Sequence, residues 1–116
     1  MCTKVLSCQG YRTGLFTSPH LHTFRERISL DGNPVSEADF AGLVEEVWPD
    51  LEWVGENTGH GEVTMFEALT AMAFCAFREA GVEAQVIEVG LGGRLDCTNV
   101  LRRKDAAVVT ALSQEH

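Results

Sequence analysis

The sequence predicts an α/β fold: a partial parallel sheet with flanking helices, in one domain. Residues 84–89 form an apolar run with the length and β-branched content of a strand buried on both faces, as in parallel sheets. Segments with helical spacing alternate with the predicted strands, which is typical of parallel strands joined by right-handed crossovers. The chain has 116 residues, of which 45% are hydrophobic, and this is enough for one modest core.

The first predicted elements are a short helix and a strand. Residues 1–9 precede Gly10, a residue suited to the position after a helix C-terminus. Residues 11–16 follow as a strand, and Pro19 stops regular structure in the polar loop 17–20.

An extended segment and a helix come next. Residues 26–30 are predicted as a strand that closes in the turn 31–34. Ser36 is a predicted N-cap because apolar residues follow it at helical spacing, and Pro49 is expected to end that helix. Residues 50–62 hold several glycines and are expected to form an irregular loop.

The second half of the chain is predicted as a buried helix and two strands. Residues 64–67 have the T-x-x-E form of a capping box, and the largely apolar helix that they open ends at Gly81. The strand 84–89 and a glycine-rich turn follow. The apolar residues 106–112 are predicted as the last strand.

Glu88 is a carboxylate at the end of the apolar strand, and its position needs a physical explanation. Burying an unpaired carboxylate costs several kcal/mol. Two ordinary explanations are an edge strand with Glu88 facing water and a salt bridge to a residue such as Arg94. The functional explanation is that Glu88 lies at the carboxyl end of its strand, where open α/β sheets bind ligands.

Ser18 and His116 also follow predicted strands, so these residues and Glu88 are expected at one edge of the sheet. An isolated serine in a loop is ordinarily a cap. The sequence shows no recognisable arrangement of a base that would activate Ser18 as a nucleophile, so a functional Ser18 is expected to offer its oxygen to a metal.

Composition excludes several classes of partner and location. The net charge of −8, without a Lys/Arg cluster, argues against a duplex nucleic-acid partner. The four cysteines lack C-x-x-C and metal-ligand spacings, which predicts reduced thiols in the cytoplasm. Residues 1–10 lack a signal-peptide pattern and no segment approaches membrane-spanning length, so no membrane partner is expected.

The glycine-rich turn 90–95 is not a nucleotide-binding loop by sequence. Leu95 occupies the third glycine position of G-x-G-x-x-G, and G-x-x-x-x-G-K-[ST] is absent from the chain. The glycines are therefore expected to permit a tight turn close to a ligand. Asp96, Thr98 and Asn99 have an ordinary explanation, which is that they hydrogen-bond the turn that contains them.

Four stretches of sequence together resemble the folylpolyglutamate synthase and dihydrofolate synthase family, which is related to the ATP-dependent Mur-type ligases. They are residues 14–21, Phe24 with residues 26–28, residues 64–67 and residues 88–99, in the family's order and spacing over nearly the whole chain. The last stretch, E-V-G-L-G-G-R-L-D-C-T-N, is long enough to be specific. The resemblance implies that residues 1–116 are a fragment of the family's central ATPase-type domain, which has a P-loop NTPase-like fold.

The resemblance implies a ligase that adds glutamate to dihydropteroate, to folates, or to both. In this chemistry ATP converts a carboxylate to an acyl phosphate, which the amine of glutamate attacks, while Mg²⁺ neutralises phosphate charge. The expected partners are therefore small molecules, namely dihydropteroate or folate, glutamate and ATP, with Mg²⁺ as the cofactor.

The resemblance also implies two sets of site residues, and it assigns no catalytic residue. The implied metal ligands are Ser18, Glu88 and His116, with Glu88 supplying the anionic oxygen that Mg²⁺ prefers. The implied substrate-binding residues are Thr64, Met65, Phe66, Glu67, Leu95, Asp96 and Cys97. An aromatic ring at Phe66 suits a flat heterocycle, and the polar side chains could fix its edge. Core packing and a capping box are the ordinary alternatives.

The chain departs from the family pattern in a few respects. Cys97 stands where alanine is common, and Glu115 stands where aspartate is usual. The family's phosphate loop, its carbamoylated lysine and its carboxy-terminal domain have no counterpart in these residues, so the chain by itself is expected to be inactive. Two alternatives stay open: a Mur-type cell-wall amino-acid ligase fragment, and a noncatalytic binding module of the same fold.

Overall fold

A computed structural model describes residues 1–111 of the chain. It contains three α-helices, four β-strands and two short 3-10 helices within this range. In chain order they are α1 (Cys2–Cys8), β1 (Thr13–Phe16), a 3-10 helix (Phe24–Arg27), β2 (Ile28–Leu30), β3 (Asn33–Pro34), α2 (Glu37–Asn57), α3 (Met65–Glu79), β4 (Ala84–Ile87) and a second 3-10 helix (Cys97–Val100).

The four strands form one mixed sheet in the order β3-β2-β1-β4. β1 and β4 are parallel, with Phe16 opposite Ile87, and both helices α2 and α3 lie between them in the chain. β2 runs antiparallel to β1, with Ile28 opposite Phe16, and β3 continues from β2 as a hairpin. The predicted α/β class is confirmed, and the parallel relationship in the described sheet is the one between β1 and β4.

The core lies between the sheet and the two long helices. α3 contacts β1 and β2, and α2 packs on α3. Phe16, Ile28 and Phe77 are the largest apolar side chains in the centre, each at most 1% exposed. Gly14 in β1 is required here, because a Cβ at this position would lie 2.7 Å from the Phe77 ring. The close approach sets the distance between α3 and the sheet.

The predicted helix boundaries that depend on local capping are confirmed. The Ser36 hydroxyl accepts the Asp39 N–H at 3.1 Å at the start of α2. Thr64 and Glu67 form the capping box of α3, and Gly81 follows that helix with a φ of +60°. Gly10 likewise follows α1 with a φ of +89°.

The expectation that Pro49 ends α2 is wrong, and so is a loop beginning at residue 50. α2 continues through Pro49 to Asn57, and irregular structure begins only after it. Apolar residues recur at helical spacing beyond the proline, and Leu51 packs against the core. Burial of this face offsets the cost of an interior proline, which is about 3 kcal/mol.

The predicted strand 26–30 is only half correct, because residues Phe24–Arg27 form a 3-10 helix and β2 begins at Ile28. The Glu26 side chain turns back to the backbone N–H groups of residues 21–23, which closes the chain into a helical turn. If residues 26 and 27 were in a strand, the N–H groups of residues 21–23 would lose the Glu26 carboxylate as their acceptor.

Two expectations at the carboxyl-terminal side also fail. Residues 106–111 are exposed and have no regular secondary structure, and Leu112 lies outside the described residues. β4 is not buried on both faces: Gln85 is exposed and its neighbours are half-buried. The reason is that β4 is the end strand of the described sheet, with β1 on one side only.

Within residues 1–111 no helix combines the length and the hydropathy needed to cross a bilayer. The four cysteines are free thiols. Burial, followed by the nearby charge of Glu46, raises the pKa of the Cys75 thiol, which packs against the core as a small apolar side chain.

Candidate functional site

The carboxyl ends of β1 and β4 bring Ser18 and Glu88 together. The Glu88 N–H donates to the Phe16 carbonyl at 2.9 Å, which extends the parallel ladder by one residue beyond β4. The Ser18 N–H then donates to Oε2 of Glu88 at 2.7 Å. Residues 70 apart in the sequence are therefore in direct contact at one edge of the sheet.

Glu88 is exposed at this edge, so the cost of burying a carboxylate does not arise. Of the ordinary explanations, exposure at an edge strand is correct. Among the described residues the ion pairs of arginine do not include one between Arg94 and Glu88. The Ser18 N–H gives the carboxylate a charge-assisted hydrogen bond and fixes its orientation.

The donor atoms at this edge are of the kind that binds a hard divalent cation. They are the carboxylate of Glu88, one residue after β4, and the hydroxyl of Ser18, two residues after the neighbouring strand β1. Mg²⁺ prefers oxygen ligands, and in phosphate-transfer sites it typically keeps waters and takes only one or two carboxylates. Residues 1–111 contain no group of three His, Cys, Asp or Glu side chains placed to hold a metal. His116, the third predicted ligand, lies outside the described residues.

The glycine-rich turn after Glu88 is held by Asp96. Oδ2 of Asp96 accepts the Leu91 N–H at 2.8 Å, and Oδ1 accepts the N–H and the hydroxyl of Thr98 at 2.9 and 2.5 Å. Gly92 and Gly93 adopt φ values of +71° and +109°, which other residues rarely adopt. The ordinary explanation for Asp96, hydrogen bonds within its own turn, therefore describes its contacts.

These contacts determine the protonation of Asp96. Burial raises its pKa. Hydrogen bonds from the Thr98 hydroxyl and from the backbone N–H groups of Leu91, Thr98 and Gly90 together lower the pKa by more than burial raises it. The net pKa lies below the ordinary value, so the carboxylate that holds the turn is ionised.

At the start of α3, Thr64 and Glu67 form hydrogen bonds with each other. Oε2 of Glu67 accepts the Thr64 N–H at 2.8 Å and the Thr64 hydroxyl at 2.7 Å. The hydroxyl first and the backbone N–H second lower the pKa of Glu67. The predicted capping box is present, and it leaves Oε1 as the carboxylate oxygen directed away from these bonds.

Phe66 joins the two predicted substrate-binding segments. Its ring centroid lies 5.7 Å from that of Phe16, and its Cζ lies 2.6 Å from the point where a Cβ on Gly90 would stand. Oδ2 of Asp96 lies 3.0 Å from the same point. Phe66 is half-buried, so the ring packs against the core and also borders the glycine-rich turn.

The remaining predicted residues belong to the same two segments. The Cys97 thiol donates to the Thr70 hydroxyl at 3.3 Å, which ties the second 3-10 helix to α3. Met65 and Leu95 are large apolar side chains with exposures of 62% and 88%. Residues 64–67 and 95–97 thus lie in one region, bordered by exposed apolar side chains and two satisfied carboxylates.

One element near this edge does not stand out in the sequence. Thr23 and Glu26 form a second capping box, at the start of the 3-10 helix that precedes β2. The signal was present, since T-x-x-E is the same pattern that predicted the start of α3. No apolar helical run follows it, and that is why the pattern does not stand out.

Comparison with known proteins finds relatives that are named as dihydrofolate synthases and folylpolyglutamate synthases. No family model matches the chain. It is 43% identical to the dihydrofolate synthase/folylpolyglutamate synthase of Mycobacterium tuberculosis over 122 aligned residues, covering 100% of this chain and 25% of that protein. The chain thus spans about a quarter of the length of this relative.

Solved structures agree with the sequence match. The folylpolyglutamate synthase of Mycobacterium tuberculosis complexed with ADP and AMPPCP superimposes with a TM-score of 0.81 at 42% identity, over 84% of this chain and 22% of that one. A folylpolyglutamate synthase complexed with AMPPCP and folate gives 0.77 at 40% identity, over 85% and 24%. Over the segment that it spans, the chain is therefore similar in sequence and in fold to the folylpolyglutamate synthase and dihydrofolate synthase family.

Proposed function

We propose that this chain forms part of the central ATPase-type domain of an ATP-dependent ligase that adds glutamate to dihydropteroate, to folates, or to both. The identity to named folate ligases and the likeness to structures complexed with ATP analogues and folate support this proposal. ATP would phosphorylate a substrate carboxylate to give an acyl phosphate and ADP. Attack by the amine of glutamate would then form the amide and release phosphate.

The contact between Ser18 and Glu88 is the observation on which the metal site rests. We assign the Glu88 carboxylate and the Ser18 hydroxyl as ligands of Mg²⁺, with His116 as the third. Bound there, Mg²⁺ would neutralise phosphate charge and orient the phosphoryl transfer. The Ser18 N–H holds Oε2 of Glu88, so Oε1 is the oxygen best placed to face the metal.

The region around Phe66 is the proposed site for the flat ring of the substrate. Phe66 offers an aromatic ring, and Met65 and Leu95 in the same two segments are exposed apolar side chains. The carboxylates of Asp96 and Glu67 accept hydrogen bonds from their own segments of the chain. Their proposed role is therefore mainly to hold the backbone of the two segments in place, while backbone atoms and the free oxygen of Glu67 contact the ligand.

The proposal is tested by assaying the complete gene product that contains these residues. Labelled glutamate, ATP and Mg²⁺ are supplied with dihydropteroate, with tetrahydrofolate, or with a nucleotide-linked cell-wall precursor. We expect glutamate to enter one or both pterins with release of one ADP and one phosphate for each bond formed. Transfer only to the cell-wall precursor would support a Mur-type ligase instead. Binding of pterin or ATP without any transfer would support a noncatalytic module.

A further inference from the structure

We propose that Glu26 is a positioning residue, which fixes the loop 17–23 and thereby the place of Ser18 beside Glu88. The inference about the loop stands on contacts of this chain alone. Its consequence for Mg²⁺ rests on the function proposed above.

The Glu26 carboxylate accepts three consecutive backbone N–H groups. Oε2 accepts the Leu21 N–H at 2.9 Å, and Oε1 accepts those of His22 and Thr23 at 3.0 and 2.9 Å. The hydrogen bonds from Leu21 and then Thr23 are the main causes of a lowered pKa at Glu26, so the group is ionised and acts only as an acceptor. A capping glutamate needs one such bond, and this one makes three.

Arg27, the next residue, ties the other end of the same loop. Its carbonyl accepts the Thr17 N–H at 3.0 Å, and its Nε donates to Nδ1 of His20 at 3.0 Å. The His20 ring in turn lies against Phe24, with centroids 4.3 Å apart. Two adjacent residues thus hold the backbone or side chains of five of the seven loop residues, namely Thr17, His20, Leu21, His22 and Thr23.

Ser18 lies inside this tied loop, between Thr17 and His20. Its own N–H reaches across to Glu88, so the relative position of the two proposed ligands depends on where the loop is held. Replacing Glu26 by glutamine removes the charge and puts an NH₂ group where one accepting oxygen stood. At least one of the three backbone donors then faces another donor, and the loop must shift to satisfy it.

A purely structural role would predict a different result. If Glu26 only stabilises the 3-10 helix, its loss lowers stability without changing how tightly Mg²⁺ activates the enzyme. If it positions Ser18, the metal dependence changes, because residues that orient metal ligands typically contribute about 10- to 100-fold to metal affinity or activity.

Glu83→Gln is a matched control. Glu83 also accepts a backbone N–H, that of Arg12 at 2.9 Å, but it lies at the opposite end of β1 and β4. Glu83→Gln therefore makes the same substitution as Glu26→Gln, at a glutamate that also accepts a backbone N–H, but far from Ser18.

The experiment measures hydrogen exchange at residue resolution and Mg²⁺ activation in the complete gene product. For Glu26→Gln we expect faster exchange of the N–H groups of residues 21–23 and of Ser18. We expect a Mg²⁺ concentration for half-maximal activity raised about tenfold or more, with a much smaller change in kcat at saturating Mg²⁺. Arg27→Lys, which removes the Nε donor to His20, should act in the same direction, and Glu83→Gln should change neither property.

Faster exchange at residues 21–23 with unchanged exchange at Ser18 would overturn the proposal, and so would an unchanged Mg²⁺ dependence in an active Glu26→Gln enzyme. If Glu26→Gln does not fold, Arg27→Lys decides by the same two measurements. If the wild-type protein lacks ligase activity, the proposed function fails, and the exchange of Ser18 still tests the positioning role.

Discussion

Phe66 occupies the space that a side chain at residue 90 would need, with its Cζ 2.6 Å from the Cβ position of Gly90. This contact joins the start of α3 to the turn after β4, so the two proposed substrate-binding segments are positioned through one aromatic ring. Glycine is required at residue 90 because the Phe66 ring lies too close for a Cβ. Its backbone conformation does not by itself require glycine, since it is not in the left-handed region.

Gly90→Ala should therefore force the Phe66 ring out of place. We expect a loss of about 1–3 kcal/mol in the free energy of unfolding, the usual range for overpacking, and a raised KM for the pterin substrate with little change in KM for glutamate. Urea denaturation and steady-state kinetics measure both. Gly42→Ala is the control, since nothing lies within 4 Å of a Cβ at that helical position. Equal effects of the two substitutions on pterin KM would refute the role given to the contact.

Pro49 lies inside α2, and its removal should stabilise the protein. Alanine at this position restores a backbone N–H and removes the clash of the ring with the preceding turn. We expect Pro49→Ala to raise the free energy of unfolding by about 1–3 kcal/mol, after allowing for the greater freedom of the unfolded chain. Chemical denaturation checks this, with the exposed neighbour Asp50→Ala expected to change stability by less than about 0.5 kcal/mol. Destabilisation by Pro49→Ala would mean that the proline stabilises the helix geometry.

The capping box at Thr64 and Glu67 makes stability depend on acid. The pKa of Glu67 is lowered in the folded protein, so the folded state keeps this group ionised where the unfolded chain takes up a proton. Its contribution is complete above the ordinary value of 4.5 and is lost as the pH falls through the lower folded pKa. Denaturation midpoints at several pH values should fall less steeply below 4.5 in Glu67→Gln than in the wild type. Parallel pH profiles would contradict this account.

The parts of the fold that sequence predicts are those set by local interactions. Ser36 and Thr64 are recognisable caps because the side chain and the N–H that it accepts are three residues apart. Pro49 misleads because local propensity opposes the helix, while packing of Leu51 against the core decides the outcome. Residues 106–111 have the composition of a strand, but a strand forms only where another strand pairs with it.

The candidate site shows the same division. The adjacency of Ser18 and Glu88 follows from strand ends in a parallel pair, so it can be predicted from the order of elements. The ties that hold Ser18 in place come from Glu26 and Arg27, and they depend on a 3-10 turn where the sequence suggested a strand. The metal role of Ser18, Glu88 and His116 stays a prediction, as does the cytoplasmic location expected from the free thiols.

Glu88→Gln in the complete gene product tests the proposed magnesium site most directly. Glutamine can still accept the Ser18 N–H through its carbonyl oxygen, so the fold is expected to persist, while the anionic oxygen that would bind Mg²⁺ is lost. We expect turnover at saturating substrate to fall by about 100-fold or more, with a thermal midpoint within about 2 °C of the wild type and with full activity in Glu83→Gln. Undiminished turnover in Glu88→Gln would contradict a magnesium ligand at this position. A free energy of unfolding lowered enough to explain the lost activity by unfolding would also contradict it, and would favour a structural role for Glu88.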